Sequence, residues 1–402
     1  MRKKKVTYII TLSVFIVFIL AGIDAALCAE LGEVQSAITR SAKYLIKSTK
    51  ADGMFVYYAD LDPDKAVNKN YNILRHAGTI YAMSMYYELE PDDNMRSAIK
   101  RSAEYLRDEC IAPVPERENL LAVWSRPEVT KSGKPLQAEL GGAGLGLMAL
   151  LSAENIYPGF TSLSVLRKLG NFILYMQKED GSFYSKYIPS MEGNRDSRHS
   201  LFYPGEAALG LLMLYEKDPS DAWIKPAIKA LVYLANNHKD TADHWTLLAM
   251  EKLFSLRLPE NIEVPRELLL NHAIQLCEIM LKEQVENPED PSHKGEFSKD
   301  GKTTPAAVRL EGLLGALTFI PKEEAIRARI ESSIQRGVEF LVRAQIKEGE
   351  FKGAMPRAIH KISQNQTDDK NFNRRATQVR VDYVQHALCA MIKYVKLFKN
   401  AE

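Results

Sequence analysis

Six times along this chain, polar side chains stand directly before a run of small and aliphatic residues. Tyr71-Asn72-Ile73-Leu74-Arg75-His76 leads into Ala77-Gly78-Thr79. Glu139 leads into Leu140-Gly141-Gly142-Ala143-Gly144, and Tyr203-Pro204-Gly205-Glu206 into Ala207-Ala208-Leu209. Asp243-His244-Trp245, Arg309-Leu310-Glu311 and Arg380-Val381-Asp382, with His386 one turn on, complete the set. Carboxylates and imidazoles gathered in one place perform acid–base chemistry. Two carboxylates across a cleft are the apparatus of glycoside hydrolysis. Glu206, Asp382, His244, Glu139 and His76 are therefore the candidate catalytic residues. Tyr71, Arg75, Tyr203, Trp245, Arg380, His386 and Trp124 are the candidate substrate-binding residues, since rings and guanidinium groups suit sugar faces and carboxylates. Each has a bland alternative. An acid at a helix start complements the helix dipole in any case, and His76 would serve equally as a core histidine. Asp382 and His386 lie four apart, on one helical face, either as a proton-transfer unit or as a satisfied core pair. Asp382, His386 and His76 have no recognised ligand spacing, so neither metal nor cofactor is expected.

The elements that must position these residues alternate in character. Stretches 34–49, 94–108, 162–177, 221–237, 266–284 and 323–345 carry a one-sided apolar stripe, the mark of a helix with one face in water. Between them, runs such as 140–151, 207–214 and 310–320 are apolar nearly all round and belong to fully buried helices. Six repeats of outer and inner helix imply an all-α fold, an (α/α)6 barrel of six inner and six outer helices, with almost no sheet. The inner helices then run parallel, and all six polar starts meet at the mouth of one cavity. Gly141, Gly142 and Gly144 suit close approach between crowded inner helices. The long loops 52–69, 111–137, 181–201, 287–304 and 349–377 precede inner helices and would wall that mouth. They carry Tyr57, Tyr58, Trp124, Arg126, Tyr184, Tyr187 and His199.

Three outer stretches end alike, at Asp52-Gly53-Met54-Phe55, Gln177-Lys178-Glu179-Asp180-Gly181-Ser182-Phe183 and Gln345-Ile346-Lys347-Glu348-Gly349-Glu350-Phe351. A glycine supplies the turn and an aromatic residue docks back. The pattern resembles the Q-x-x-x-G-x-W/F repeat of squalene-cyclase and prenyltransferase-like α/α toroids, and the resemblance implies the toroid architecture for most of the chain. The activities of those enzymes do not carry over, for want of an acidic D-x-D-D run and of a zinc-ligand set. Tyr71 to His76 resembles the Tyr-Asp-Leu-Arg-His stretch of glucuronyl C5-epimerases, with changes at two positions; that resemblance implies a uronate or related polysaccharide substrate.

The 402 residues open on Met1-Arg2-Lys3-Lys4-Lys5, followed by an apolar run over 6–23 and small residues around Ala29. This is the pattern of a secretory signal, 1–29, with an uncleaved anchor as the alternative. Its loss removes four cations and Asp24, so the formal charge of +2 becomes −1 and no field remains to attract nucleic acid. Cys110, Cys277 and Cys389 are widely spaced and read as buried free thiols rather than a disulfide framework. Residues 30–402 show no linker and read as one barrel domain. The expectation is an exported, periplasmic or extracellular enzyme acting on a polysaccharide or other anionic glycan by hydrolysis, elimination or epimerisation. The alternatives are a non-catalytic glycan- or protein-binding toroid and, third, a terpenoid-cyclase-like enzyme. Membrane contact is expected only through the N-terminal segment.

Overall fold

The computed structural model describes residues 31–399 apart from 68, 192, 196–200 and 363–370. The expected signal segment and His199 lie outside the described residues. Twelve principal helices follow one another among them: α1 (31–48), α2 (Ile73–Leu89), α3 (Asp93–Tyr105), α4 (Leu140–Ile156), α5 (Leu163–Met176), α6 (Tyr203–Lys217), α7 (Asp221–Asn237), α8 (His244–Ser255), α9 (Arg266–Glu283), α10 (Thr303–Leu317), α11 (Ile326–Ala344) and α12 (Val381–Lys399). The even-numbered helices form the inner ring. Each packs on the next, and α12 returns to α2, so the ring closes. The odd-numbered helices wrap outside. This is the expected (α/α)6 toroid.

Local sequence explains the boundaries. Asn72, Asp92, Ser162, Ser220 and Asp243 cap the starts of α2, α3, α5, α7 and α8 with side-chain oxygens. In α4 the run from Leu140 to Glu154 is buried without a break, as an inner helix must be. The close contact between α4 and α6 depends on glycine. A methyl group at Gly144 would overlap the Glu206 backbone carbonyl, and at Gly210 it would meet the Gly144 carbonyl at 2.8 Å. All three described cysteines are buried free thiols. No helix among the described residues is long and apolar enough to cross a membrane.

Outer helices are joined by a repeated device. The Gln177 amide donates to the Pro226 carbonyl of α7 at 3.0 Å, Gln284 to Ser333 of α11 at 2.9 Å, and Gln345 to Ala37 of α1 at 2.8 Å. Each glutamine ends its own helix and pins the next outer helix of the ring. A left-handed glycine follows, packed on the same neighbour: Gly181 on Lys229, Gly295 on Arg336 and Gly353 on Arg40. The expected third joint is thus corrected from Gly349 to Gly353. Both have positive φ, but nothing lies within 4 Å of a Cβ at Gly349.

Two expected loops, 111–137 and 181–201, contain strands. β2 (Ile111–Val114), β3 (Arg117–Ser125), β4 (Gln137–Glu139), β5 (Lys186–Ile188) and β6 (Gly193–Arg195) form an antiparallel sheet in chain order. The apolar run Leu120 to Trp124 after the Pro115-Glu116 turn is a strand signal in its own right. β1 (Tyr58–Asp60) pairs with β7 (Gln378–Arg380), setting Tyr58 opposite Arg380. These short strands fix the loops from which the inner helices start.

The joint makes a differential prediction. Gly349→Ala should cost about 1–2 kcal/mol for the left-handed backbone alone. Gly353→Ala should cost about 1–3 kcal/mol more, because the methyl group must displace the Arg40 carbonyl. Chemical denaturation of the two variants measures the gap; equal losses would deny the joint its role.

Candidate active site

The starts of the inner helices do meet. Arg75 is the third residue of α2 and Asp382 the second of α12. Arg75 Nε lies 3.1 Å from Asp382 Oδ2, and Arg380 Nη2 donates to the same oxygen at 2.7 Å. One carboxylate therefore serves two guanidinium groups, and its other oxygen, Oδ1, is buried without a hydrogen bond. Arg75 also donates to Tyr57 Oη at 3.0 Å. The Arg380 guanidinium covers the Tyr383 ring, 4.3 Å from its centre. Asp382 is 3% exposed in its side chain and Arg75 40%, so the pair joins a buried anion to a cation that reaches solvent.

Next to it stands an acidic group. Glu139 precedes α4 at the end of β4. Its Oε2 accepts from Ser125 Oγ at 2.9 Å and its Oε1 from Tyr203 Oη at 3.2 Å. The pairing of Ser125 with Gln137 across β3 and β4 brings the serine there. Glu206, in the first turn of α6, fills the space that a side chain at Gly141 would need. It is buried, and its Oε2 takes no hydrogen bond. Burial first, then the charges of Asp243 and Glu139, push its pKa up to about 8, against the pull of Arg75. Glu206 is thus a protonated acid at neutral pH.

Between α8, α10 and α12 lies an imidazole pair. His386 Nδ1 meets Glu311 Oε1 at 2.7 Å. The His244 ring sits 5.7 Å from the His386 ring, 5.0 Å from Trp245 and 5.2 Å from Phe202, centre to centre. Neither His244 nitrogen has a hydrogen-bond partner, and burial holds the ring neutral, well below the usual histidine range. Ligand atoms of His244, Glu311 and His386 lie within 4.8 Å of one another, so these three could hold a cation. Asp243 caps α8 through Trp245 N and Thr246 N; burial pushes its pKa up to about 6.

Other expected residues fall elsewhere. His76 turns outward to α3, where Nε2 donates to the Ser102 carbonyl at 2.9 Å. Tyr71 Oη donates to its Nδ1 at 2.7 Å and accepts from Phe55 N. Both ring nitrogens are satisfied, and burial lowers the pKa to about 4. The catalytic expectation for His76 and the binding expectation for Tyr71 are corrected: the two knit α2, α3 and the first loop together. Trp124 bonds the Ala112 carbonyl at 3.0 Å and borders a shallow groove with Arg126 and Leu136, away from Glu206. Glu311 is the ninth residue of α10, not its start. Ser125 and Asp243 are the additions. Asp243 was findable as a capping residue; nothing in the sequence marks Ser125, which depends on strand register. At the opposite end of the barrel lies a cavity of about 480 Å³, whose charged lining is largely paired, as in Lys393–Glu251 and Lys252–Glu216.

No protein-family model matches the chain, and no curated protein matches it in sequence. Solved structures do match. A cellobiose 2-epimerase from Spirochaeta thermophila DSM 6192 is 11% identical over 93% of this chain and 98% of its own, with a TM-score of 0.66. An unsaturated glucuronyl hydrolase specific for heparin is 13% identical over 92% and 98%, TM-score 0.61. A polysaccharide lyase is 12% identical over 92% and 98%, TM-score 0.58. These are α/α toroids, and at such identities the likeness is one of fold.

The raised pKa of Glu206 has a consequence for stability. Its folded pKa lies above its ordinary 4.5, so its stabilising contribution is complete below pH 4.5 and is lost as pH rises through about 8. Glu206→Gln removes that loss. The stability of the variant relative to the parent should rise by up to about 1.4 kcal/mol per pH unit across this window. Denaturant titrations at several pH values check it; parallel curves would mean that Glu206 ionises normally.

Proposed function

We propose that this protein is an exported enzyme that acts on a carbohydrate polymer at the mouth formed by the starts of the inner helices. The observation that carries the reading is Glu206, a buried carboxyl protonated at neutral pH and set beside the doubly hydrogen-bonded carboxylate of Glu139. That pair divides the work as glycoside cleavage requires: one group gives a proton to the leaving oxygen, and the other receives one or faces the developing positive charge. Arg75, partly exposed among positive helix ends, favours an anionic sugar such as a uronate. The fold's likeness to a hydrolase, an epimerase and a lyase acting on sugars supports the substrate class. Export rests on the pattern of the first 29 residues.

A second reading has its own observation. His386, held by Glu311, and the partnerless His244 present two imidazoles from α12 and α8, the inner helices on either side of α10. Two such groups can remove and return a proton on carbon, which is epimerisation. The two readings differ in product. Cleavage yields new reducing ends, whereas epimerisation in D2O yields deuterium on a sugar carbon without chain scission.

The assay is turnover of uronate-containing polysaccharides. Glu206→Gln should lower kcat at least 100-fold while glycan binding and the folded structure persist. Parent turnover should fall as pH rises through about 8, where the acid loses its proton. Binding without turnover in both proteins would make this a non-catalytic toroid. Arg75→Ala should cut kcat/KM for charged chains about tenfold relative to neutral ones; an equal effect on both would remove the arginine from substrate recognition.

A further inference from the structure

A second group of chemistry-bearing side chains lies outside this site, where the loops before α10 and before α12 meet. His293 Nδ1 faces Glu296 Oε1 at 2.7 Å. The carboxylate accepts, so Nδ1 carries the proton and the lone pair sits on Nε2. That Nε2 lies 3.0 Å from His360 Nε2, with the two rings nearly perpendicular. Asp290 brings a third donor, and ligand atoms of all three fall within 4.8 Å of one another. We propose that Asp290, His293 and His360 bind a divalent transition metal of the zinc class, which fastens these two loops at the rim of the barrel.

Four features favour a metal over a bare contact between imidazoles. The first is spacing: tetrahedral zinc with nitrogen ligands at 2.0–2.1 Å sets them about 3.3 Å apart, close to the separation here. The donor set of two imidazoles and one carboxylate suits zinc, copper or nickel and not magnesium. The Glu296 carboxylate behind His293 is the outer support that metal-bound histidines commonly have, fixing the tautomer and the ring direction. Glu296 is itself buried and accepts from Gly301 N. Finally, the donors are held before any metal arrives. Asp290 accepts from Ser292 N at 2.8 Å, and Ile359 N donates to the Gly301 carbonyl at 3.0 Å, just before His360.

The placement gives the metal a structural task. Arg357, three residues before His360, donates its N–H to the Gln378 carbonyl at 2.7 Å, and Gln378 begins the strand that ends on Arg380. A metal at His360 would steady the path that delivers Arg380 to Asp382. The three ligands touch none of the residues assigned to acid–base chemistry, so the proposal stands apart from the glycan reading.

The full chain, stripped with EDTA and dialysed, is titrated with zinc chloride by calorimetry, and its metal content is read by mass spectrometry. The expected result is one zinc per chain, with a rise in melting temperature. His293→Ala and His360→Ala should abolish it, and Glu296→Gln should weaken it about 10–100-fold. Should His293→Ala fail to fold, His360→Ala decides. No saturable binding by the parent protein overturns the proposal. So does stoichiometric zinc that survives both histidine variants, which would place the metal elsewhere, as at His244, Glu311 and His386.

Discussion

The contact between α4 and α6 governs this molecule more than any other. Gly141 and Gly144 have no side chains, and the space they leave is taken by the carboxyl and the backbone carbonyl of Glu206. A larger residue at either position would push α6 outward and let water reach the acid. The glycines thus do two things at once: they allow the inner ring to close, and they create the low-dielectric pocket that keeps Glu206 protonated. Fold and chemistry share one constraint here. The helix cost of glycine, roughly 1 kcal/mol each against alanine, is borne at the positions where it shapes the site.

The outer ring serves the same end from a distance. Its glutamine joints act between neighbouring outer helices, so they set the circumference into which the inner ring must fit. Gln345 accepts from Arg40 Nε at 2.7 Å while donating to Ala37, and Gln284 accepts from Arg336 at 2.9 Å while donating to Ser333. The same exchange recurs at two places, each using both faces of one amide. Such a joint is specific in length and direction, as an apolar contact is not. The strands β1 and β7 then add the last adjustment, because register, and not helix packing, puts Arg380 on Asp382.

Most of the architecture was legible because it rests on period. The reading of 221–237 coincides with α7, and the other outer helices fall within a few residues of their expected ends. The site was legible only where a residue's place in the helix follows from its cap. Arg75 and Glu206 lie in first turns and reach the mouth. Glu311 does not, because α10 begins at Thr303-Thr304-Pro305, a start signal two turns earlier. Arg75 and His76 are adjacent, and adjacency says that they diverge without saying which turns inward. The carbonyl of Ser102, an outer-helix atom far away in sequence, settles it. Gly349 and Gly353 are alike in sequence and in φ, and only the nearness of Arg40 separates them. Asp290, His293 and His360 are joined by a loop contact across 67 positions, and no local pattern could announce it.

The candidate site also shows how far the fold goes against its own stability. Glu206 Oε2, Asp382 Oδ1 and both nitrogens of His244 are buried without hydrogen bonds. An unsatisfied buried polar atom costs about 1–3 kcal/mol, and a typical domain has only about 5–15 kcal/mol of stability in all. Polar groups close by are satisfied: His76 uses both nitrogens, Glu139 both oxygens, and Asp243 accepts three hydrogen bonds from Trp245 and Thr246. These four atoms stand where inner helices begin and where their positive ends converge. A protein that met every one of these demands internally would have nothing left to offer a ligand. The deficit is what gives a bound molecule with hydroxyl and carboxylate groups something to gain by entering.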